Sequence, residues 1–146
     1  MIGALITKRQ LRKSFSAINR HDLDTLMGLC AESAVFEFPT TTVLGGRYQG
    51  EDALRAWFAR WFDRMPKIQY TLTHVLLERP FALGASNVAH VEWELDQTDL
   101  EGHSYRLTGV TVFRVEGGKA IYAKNYIFEQ EVLDMIWGEQ TVGAPV

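Results

Sequence analysis

The chain of 146 residues has a single cysteine, Cys30. That excludes an intramolecular disulfide and any zinc site built on several thiolates. Cys30 ends an apolar helical run, Leu23, Leu26, Met27, and reads there as a buried thiol rather than a nucleophile. No stretch reaches the ~18 apolar residues that a membrane span needs. The short apolar start, Met1–Ile6, precedes Lys8, Arg9, Arg12 and Lys13, whereas a secretory leader places its charges before a longer apolar run. A cytoplasmic protein is expected. Lysine and arginine number 15 against 18 acids, for a net charge of −3 with the signs interspersed. Without a basic face, nucleic acid is not an expected partner. There is no glycine-rich phosphate loop and no nucleophile elbow. No set of His, Asp and Glu has metal-ligand spacing on one face, so neither a metal nor a cofactor is expected.

What is present is apolar and aromatic. Hydrophobic residues make up 47% of the chain, with eight Phe, five Tyr and four Trp. The length suits one domain, residues 1–146, with a core over about 7–130 and a C-terminal tail over 131–146. The first half reads as helical. Leu11, Phe15 and Ile18 share a face of a helix over about Thr7 to Asn19. Asp22 can cap a second helix. Ala34–Phe38 reads as a short strand closed by Pro39, which has no N–H to donate to a ladder. Leu54, Trp57, Phe58, Trp61 and Phe62 recur at i, i+3, i+4, i+7 and i+8, the strongest amphipathic pattern in the chain. That stripe packs a core, walls a pocket, or does both.

The second half holds four long strand-like runs, roughly Lys67–Glu78, Asn87–Gln97, His103–Val115 and Lys119–Glu129. Each alternates with period two, which gives one apolar face and one mixed face. A turn at Thr98–Gly102 would set Glu94 opposite Arg106 on the outer face. Glu92, Glu94 and Asp96 then form a row on that face rather than a catalytic cluster. His21 and His103 fall in turns and are expected in solvent, and His90 falls on the outer face. The expected fold is α+β: three N-terminal helices packed on a strongly curved antiparallel sheet, forming a cone-shaped half-barrel.

This layout resembles the nuclear transport factor 2-like (cystatin-like) superfamily, best its steroid isomerase and SnoaL-like (polyketide cyclase) branches. The resemblance is carried by Phe15-Ser16-Ala17-Ile18-Asn19-Arg20-His21-Asp22-Leu23-Asp24 and by Ala31-Glu32-Ser33-Ala34-Val35-Phe36-Glu37-Phe38-Pro39. Gly50 before Ala53-Leu54-Arg55, and Phe113-Arg114-Val115-Glu116-Gly117-Gly118-Lys119, extend it. It covers about Leu11 to Phe128. In steroid isomerases resembling this chain, the general base is an aspartate just before the proline that ends the first strand. Phe38 stands there and cannot accept a proton. Their oxyanion hole joins a first-helix tyrosine to a protonated aspartate, and those positions fall on Ser14 and Thr111. Dehydratases resembling scytalone dehydratase use tyrosines, histidines and a last-strand asparagine. Asn125 and His74 are plausible counterparts, while a second histidine near Thr111 is absent. Polyketide cyclases of this kind keep an acid inside the cone, and strand parity places none here.

The candidate catalytic residues are therefore His74 and Asn125. His74 shares a face with Ile68, Tyr70, Leu72 and Leu76. If that face points inward, an imidazole with the right pKa for proton transfer sits in an apolar cone; otherwise it is a structural histidine. Asn125 lies among Ile121, Ala123 and Ile127, where a buried amide needs partners. A three-residue loop, Glu116-Gly117-Gly118, would keep Thr111 and Asn125 on one face, and a two-residue Gly117-Gly118 loop would separate them. Candidate substrate-binding residues are Tyr70, Thr111, Tyr48, Tyr105, Phe38, Trp57, Trp61 and Trp93. Val110, Val112, Tyr122 and Tyr126 form an outer apolar patch, through which proteins resembling this chain dimerise; a homodimer is expected. Two functions remain open. One is a cofactor-free isomerase, dehydratase or cyclase acting on a compact apolar oxygenated substrate. The other is a ligand-binding or interaction module without chemistry.

Overall fold

The computed structural model describes residues 2–40 and 42–138. Four helices and six strands follow in the order α1 (Ile2–Asn19), α2 (Leu23–Gly28), β1 (Cys30–Phe38), β2 (Gly46–Gln49), α3 (Glu51–Arg64), β3 (Lys67–Leu77), β4 (Asn87–Thr98), β5 (Ser104–Glu116), β6 (Lys119–Ile127) and α4 (Gln130–Trp137). The strands form one curled, unclosed sheet in the order β2-β1-β6-β5-β4-β3. It is the expected α+β architecture with one difference in pairing. β1 runs parallel to β6, and every other neighbouring pair is antiparallel.

The helices begin and end for local reasons. Asp22 accepts from Thr25 N–H at 3.1 Å and so caps α2. α2 stops at Gly28, and Cys30 opens β1 rather than continuing the helix. The thiol is buried, and desolvation pushes its pKa up to about 12, so it stays protonated. In α3, Leu54, Trp57, Phe58, Trp61 and Phe62 all face the sheet and are buried. Glu51 and Asp52 occupy its first turn, where its dipole favours acids. The residues read as a tail form α4, whose Leu133 and Ile136 are buried in the common core. The expected fraying at Gly143-Ala144-Pro145 lies outside the described residues.

Two β-bulges decide which side chains point inward. In β3, Leu72 pairs with Trp93 but His74 pairs with Glu92, so one extra residue enters at Thr73. A bulge flips the alternation beyond it. Val75 turns inward and is 9% exposed, while Leu76 turns outward and is 64% exposed. In β6, Val115 pairs with Ala120 but Arg114 pairs with Tyr122, which places the extra residue at Ile121. The hairpin itself is the two-residue Gly117-Gly118 turn, with φ of +56° and +79°. Only residues free to adopt positive φ build such a turn readily. The turn alone would separate Thr111 from Asn125, and the bulge restores them to one face, directly opposite each other. Across the β4–β5 hairpin, Asp96 rather than Glu94 lies opposite Arg106. The expected register is thus two residues off, which preserves parity. Arg106 still reaches both acids, at 2.5 Å to Glu94 and 3.3 Å to Asp96.

Candidate functional site

The inner face of the sheet, α3 and α4 enclose one cavity. Its aromatic wall is made by Phe15, Phe36, Phe38, Trp57, Phe58, Trp61, Tyr70, Trp93 and Phe113, and Leu133 and Trp137 of α4 close it. About 70 Å³ is open to the centre of a water molecule. That is room for about five waters and roughly half of the ~150 Å³ dry cavity that takes up benzene in another protein, so a single ring enters only as the wall yields. Phe38 stacks on Trp57 with ring centroids 3.7 Å apart and planes 10° apart. Tyr70 meets Phe15, Trp93 and Trp61 edge-on, at 4.9, 5.2 and 6.1 Å. The edge-on contacts of Tyr70 are the geometry that ring quadrupoles favour, whereas Phe38 lies nearly face to face on Trp57.

Polar groups in the wall are few and almost all engaged. Trp93 Nε1 donates to Thr111 Oγ1 at 2.9 Å, and Thr111 Oγ1 donates to Asn125 Oδ1 at 2.8 Å. Asn125 Nδ2 donates to the Glu37 carbonyl at 3.0 Å. Separately, Trp61 Nε1 donates to Gln97 Oε1 at 2.9 Å. Trp57 Nε1 donates to the Leu44 carbonyl at 3.0 Å. Gly109 lets Trp93 lie over β5, because a Cβ there would stand 2.7 Å from the indole and 2.3 Å from the Tyr126 carbonyl. The Tyr70 phenol has no partner among the described residues, and burial pushes its pKa well above the ordinary value. Among the described residues, no Asp, Glu, His or Cys lines the cavity. Nor do three such side chains gather anywhere among them to hold a metal.

The expected site residues separate into two groups. Asn125, Thr111, Tyr70, Phe38, Trp57, Trp61 and Trp93 all line the cavity. His74 does not. The bulge at Thr73 turns it onto the outer face, 66% exposed, where its Nδ1 lies 3.0 Å from Glu92. The inward placement read from simple alternation is thereby corrected. Tyr48 and Tyr105 also fall outside the wall: Tyr48 donates to the Leu44 carbonyl at 3.0 Å and Tyr105 to Asp99 at 3.0 Å. His21, expected in solvent, is half-buried and stacks on Phe62 at 4.6 Å. Among polar wall residues, sequence reading missed Thr42, which is 2% exposed, and also Gln97, which is 3% exposed. Extending the alternation of Val91, Trp93 and Leu95 by one step would have found Gln97.

No curated protein sequence matches this one. Among solved structures, an NTF2-like protein of unknown function from Burkholderia pseudomallei is similar at 20% identity and a TM-score of 0.75, covering 90% of this chain and 97% of its own. A Mycobacterium tuberculosis protein in complex with estradiol-17beta-hemisuccinate is similar at 19% identity and a TM-score of 0.70, covering 89% and 96%. A protein with a ketosteroid isomerase-like fold from Catenulispora acidiphila, in complex with trimethylamine, is similar at 14% identity and a TM-score of 0.70, covering 93% and 97%. At these identities the likeness is one of fold. The model of the SnoaL-like domain matches residues 11–123, most of the chain and nearly all of the sheet that builds the cavity, and the protein belongs to the SnoaL-like domain family.

Proposed function

We propose that this protein is a binding module for a compact, flat, apolar molecule with one oxygen function. The observation that carries this reading is the cavity wall, which is rich in aromatic rings and without an acid, imidazole or thiol among the described residues. General acid–base catalysis needs a group that exchanges a proton near neutral pH within hydrogen-bond reach of the substrate. Amides, hydroxyls and indoles do not, and the Tyr70 phenol is held protonated. The proton transfer expected of His74 would have to reach the cavity from the far face of the sheet. That weighs against isomerisation, dehydration or cyclisation and in favour of binding. The related fold that holds estradiol-17beta-hemisuccinate supports an apolar ring as the ligand body. The space here, about 70 Å³, sets one ring as the upper limit of that body.

The test is NMR titration with one-ring aromatic compounds, followed at the indole N–H signals. Trp61 and Trp93 should shift together, and His74→Ala should leave both the shifts and the affinity unchanged. A panel of such compounds that moves neither signal would remove the reading. A homodimer through the outer face is the second part of the proposal. Tyr126 is 52% exposed beside Val110, Val112 and Tyr122 on that face, and Phe128, just past the end of β6, is 85% exposed. Sedimentation equilibrium should give twice the chain mass, and Val112→Glu should halve it; a wild-type monomer at micromolar concentration rules the dimer out.

A further inference from the structure

Two of the four indoles that line the cavity, Trp61 and Trp93, fix the direction of its side-chain hydrogen bonds. An indole N–H only donates. Thr111 Oγ1 must therefore accept from Trp93, which leaves its own proton for Asn125 Oδ1. The Glu37 carbonyl only accepts, so Asn125 Nδ2 must face it. By the same logic Gln97 must turn Oε1 toward Trp61. Neither amide can flip without setting donor against donor or acceptor against acceptor.

The consequence lies in what remains unused. Gln97 Nε2 carries two protons with no acceptor among the described residues, and neither does the Tyr70 hydroxyl have one. Among the described residues, the cavity's hydroxyl oxygens besides Thr111 are those of Tyr70 and Thr42, and the remaining acceptors are second lone pairs on oxygens already engaged. Neither Gln97 Nε2 nor Tyr70 Oη is among the fully buried polar atoms that lack a partner, so both stay accessible to a small molecule and free to donate. Tyr70 and Gln97 lie diagonally on the inner face, since Tyr70 pairs with Leu95 while Gln97 pairs with Ile68. Long side chains at diagonal positions can reach one another's surroundings. Both also meet Trp61, through the Gln97 hydrogen bond and the edge-on ring contact of Tyr70.

We infer that the cavity selects ligands whose oxygen accepts hydrogen bonds and carries no proton, a ketone, aldehyde or ester carbonyl, and that Gln97 and Tyr70 are the residues that recognise it. The inference rests on the ligand-binding reading above. It moves the recognition point away from Asn125 and Thr111, whose hydrogen bonds are already made within the protein. A carbonyl oxygen has two lone pairs and can accept from Gln97 Nε2 and Tyr70 Oη together. An alcohol of the same shape brings one more proton into a site already rich in them.

Three matched probes test this: acetophenone, 1-phenylethanol and ethylbenzene, titrated against the intact chain and followed at the Trp61 and Trp93 indole signals. The ketone should bind about tenfold more tightly than ethylbenzene, the scale of one hydrogen bond to a buried donor, with the alcohol weaker than the ketone. Gln97→Met, which also leaves the Trp61 N–H without its acceptor, and Tyr70→Phe should each bring the ketone-to-ethylbenzene affinity ratio down toward one. Tyr70→Phe keeps the ring and its edge contacts, so it decides the matter should Gln97→Met fail to fold. If all three probes bind alike, or the alcohol binds best, the selectivity is wrong and ligand binding stands. If none binds, the ligand-binding reading falls and takes the selectivity with it.

Discussion

His21 closes the turn between α1 and α2 at a φ of 54°, a left-handed conformation that few non-glycine residues adopt. Its ring lies parallel to Phe62 at 4.6 Å, and its Nε2 is buried with no partner among the described residues. Desolvation lowers its pKa below the ordinary histidine value. The folded state therefore binds its proton more weakly than the unfolded chain does. Stability is full above about pH 6.5, the unfolded value, and is lost as pH falls from there toward the lower folded value. Urea unfolding at pH 7.5 and 5.5 should show a lower midpoint at the acidic end. His21→Asn tolerates the same backbone, lacks the titration, and should flatten that difference. An unchanged pH dependence in the variant would place its origin elsewhere. Asp22 adds a second effect at lower pH. Its hydrogen bonds from Thr25 hold its carboxyl below the usual range, so its contribution fades only as pH falls through that range.

At the scale of elements, Gly109 shows how a strand serves the cavity. The absent Cβ leaves Trp93 free to cross β5 and reach Thr111. Gly109→Ala would place an atom 2.3 Å from a backbone carbonyl, which cannot retreat as a flexible side chain can. The expected cost is about 1–3 kcal/mol from overpacking, read from urea unfolding, with a shifted Trp93 indole signal. A variant as stable as the parent, with that signal unmoved, would show that the contact relaxes freely. The same elements show where sequence reading succeeds and fails. Helical and strand periods were legible because each long element repeats its apolar pattern over several turns or pairs. Parity on β4 and β5 also runs unbroken to the turn, so the outward row of Glu92, Glu94 and Asp96 was legible too. His74 was misplaced because one added residue at Thr73 reverses the alternation, and no glycine or proline marks the spot. Sequence alone does not place Thr111 and Asn125 on one face, for a related reason. Their common face depends on a turn and a bulge whose effects cancel, and only the turn has a sequence signature. α4 reads from sequence only as a tail because its eight residues offer a short apolar stripe that is buried only once the cavity exists to be covered.

Across the whole molecule, one ring position links the family's chemistry to the size of this cavity. Phe38 ends β1 just before Pro39, where steroid isomerases of this fold place their base, and here its ring lies flat on Trp57. On the ligand-binding reading, the side chain that stands in place of a proton acceptor also takes up space that a larger ligand would need. Phe38→Ala should therefore enlarge the cavity without restoring any acid–base group. Phe38 is half-buried, so the loss of stability should be about 2 kcal/mol, below the roughly 3–5 kcal/mol of a fully buried phenylalanine. Urea unfolding measures that loss. NMR titration measures the gain: the variant should take up the two-ring ketone 2-acetonaphthone, which the parent chain should bind far more weakly than acetophenone. Parity between the two ketones in the parent would mean that the Phe38–Trp57 stack opens readily and sets no size limit. With the stack shown to be the limit, a variant that binds the larger ketone and still turns nothing over would mean that size and proton chemistry depart independently at this position.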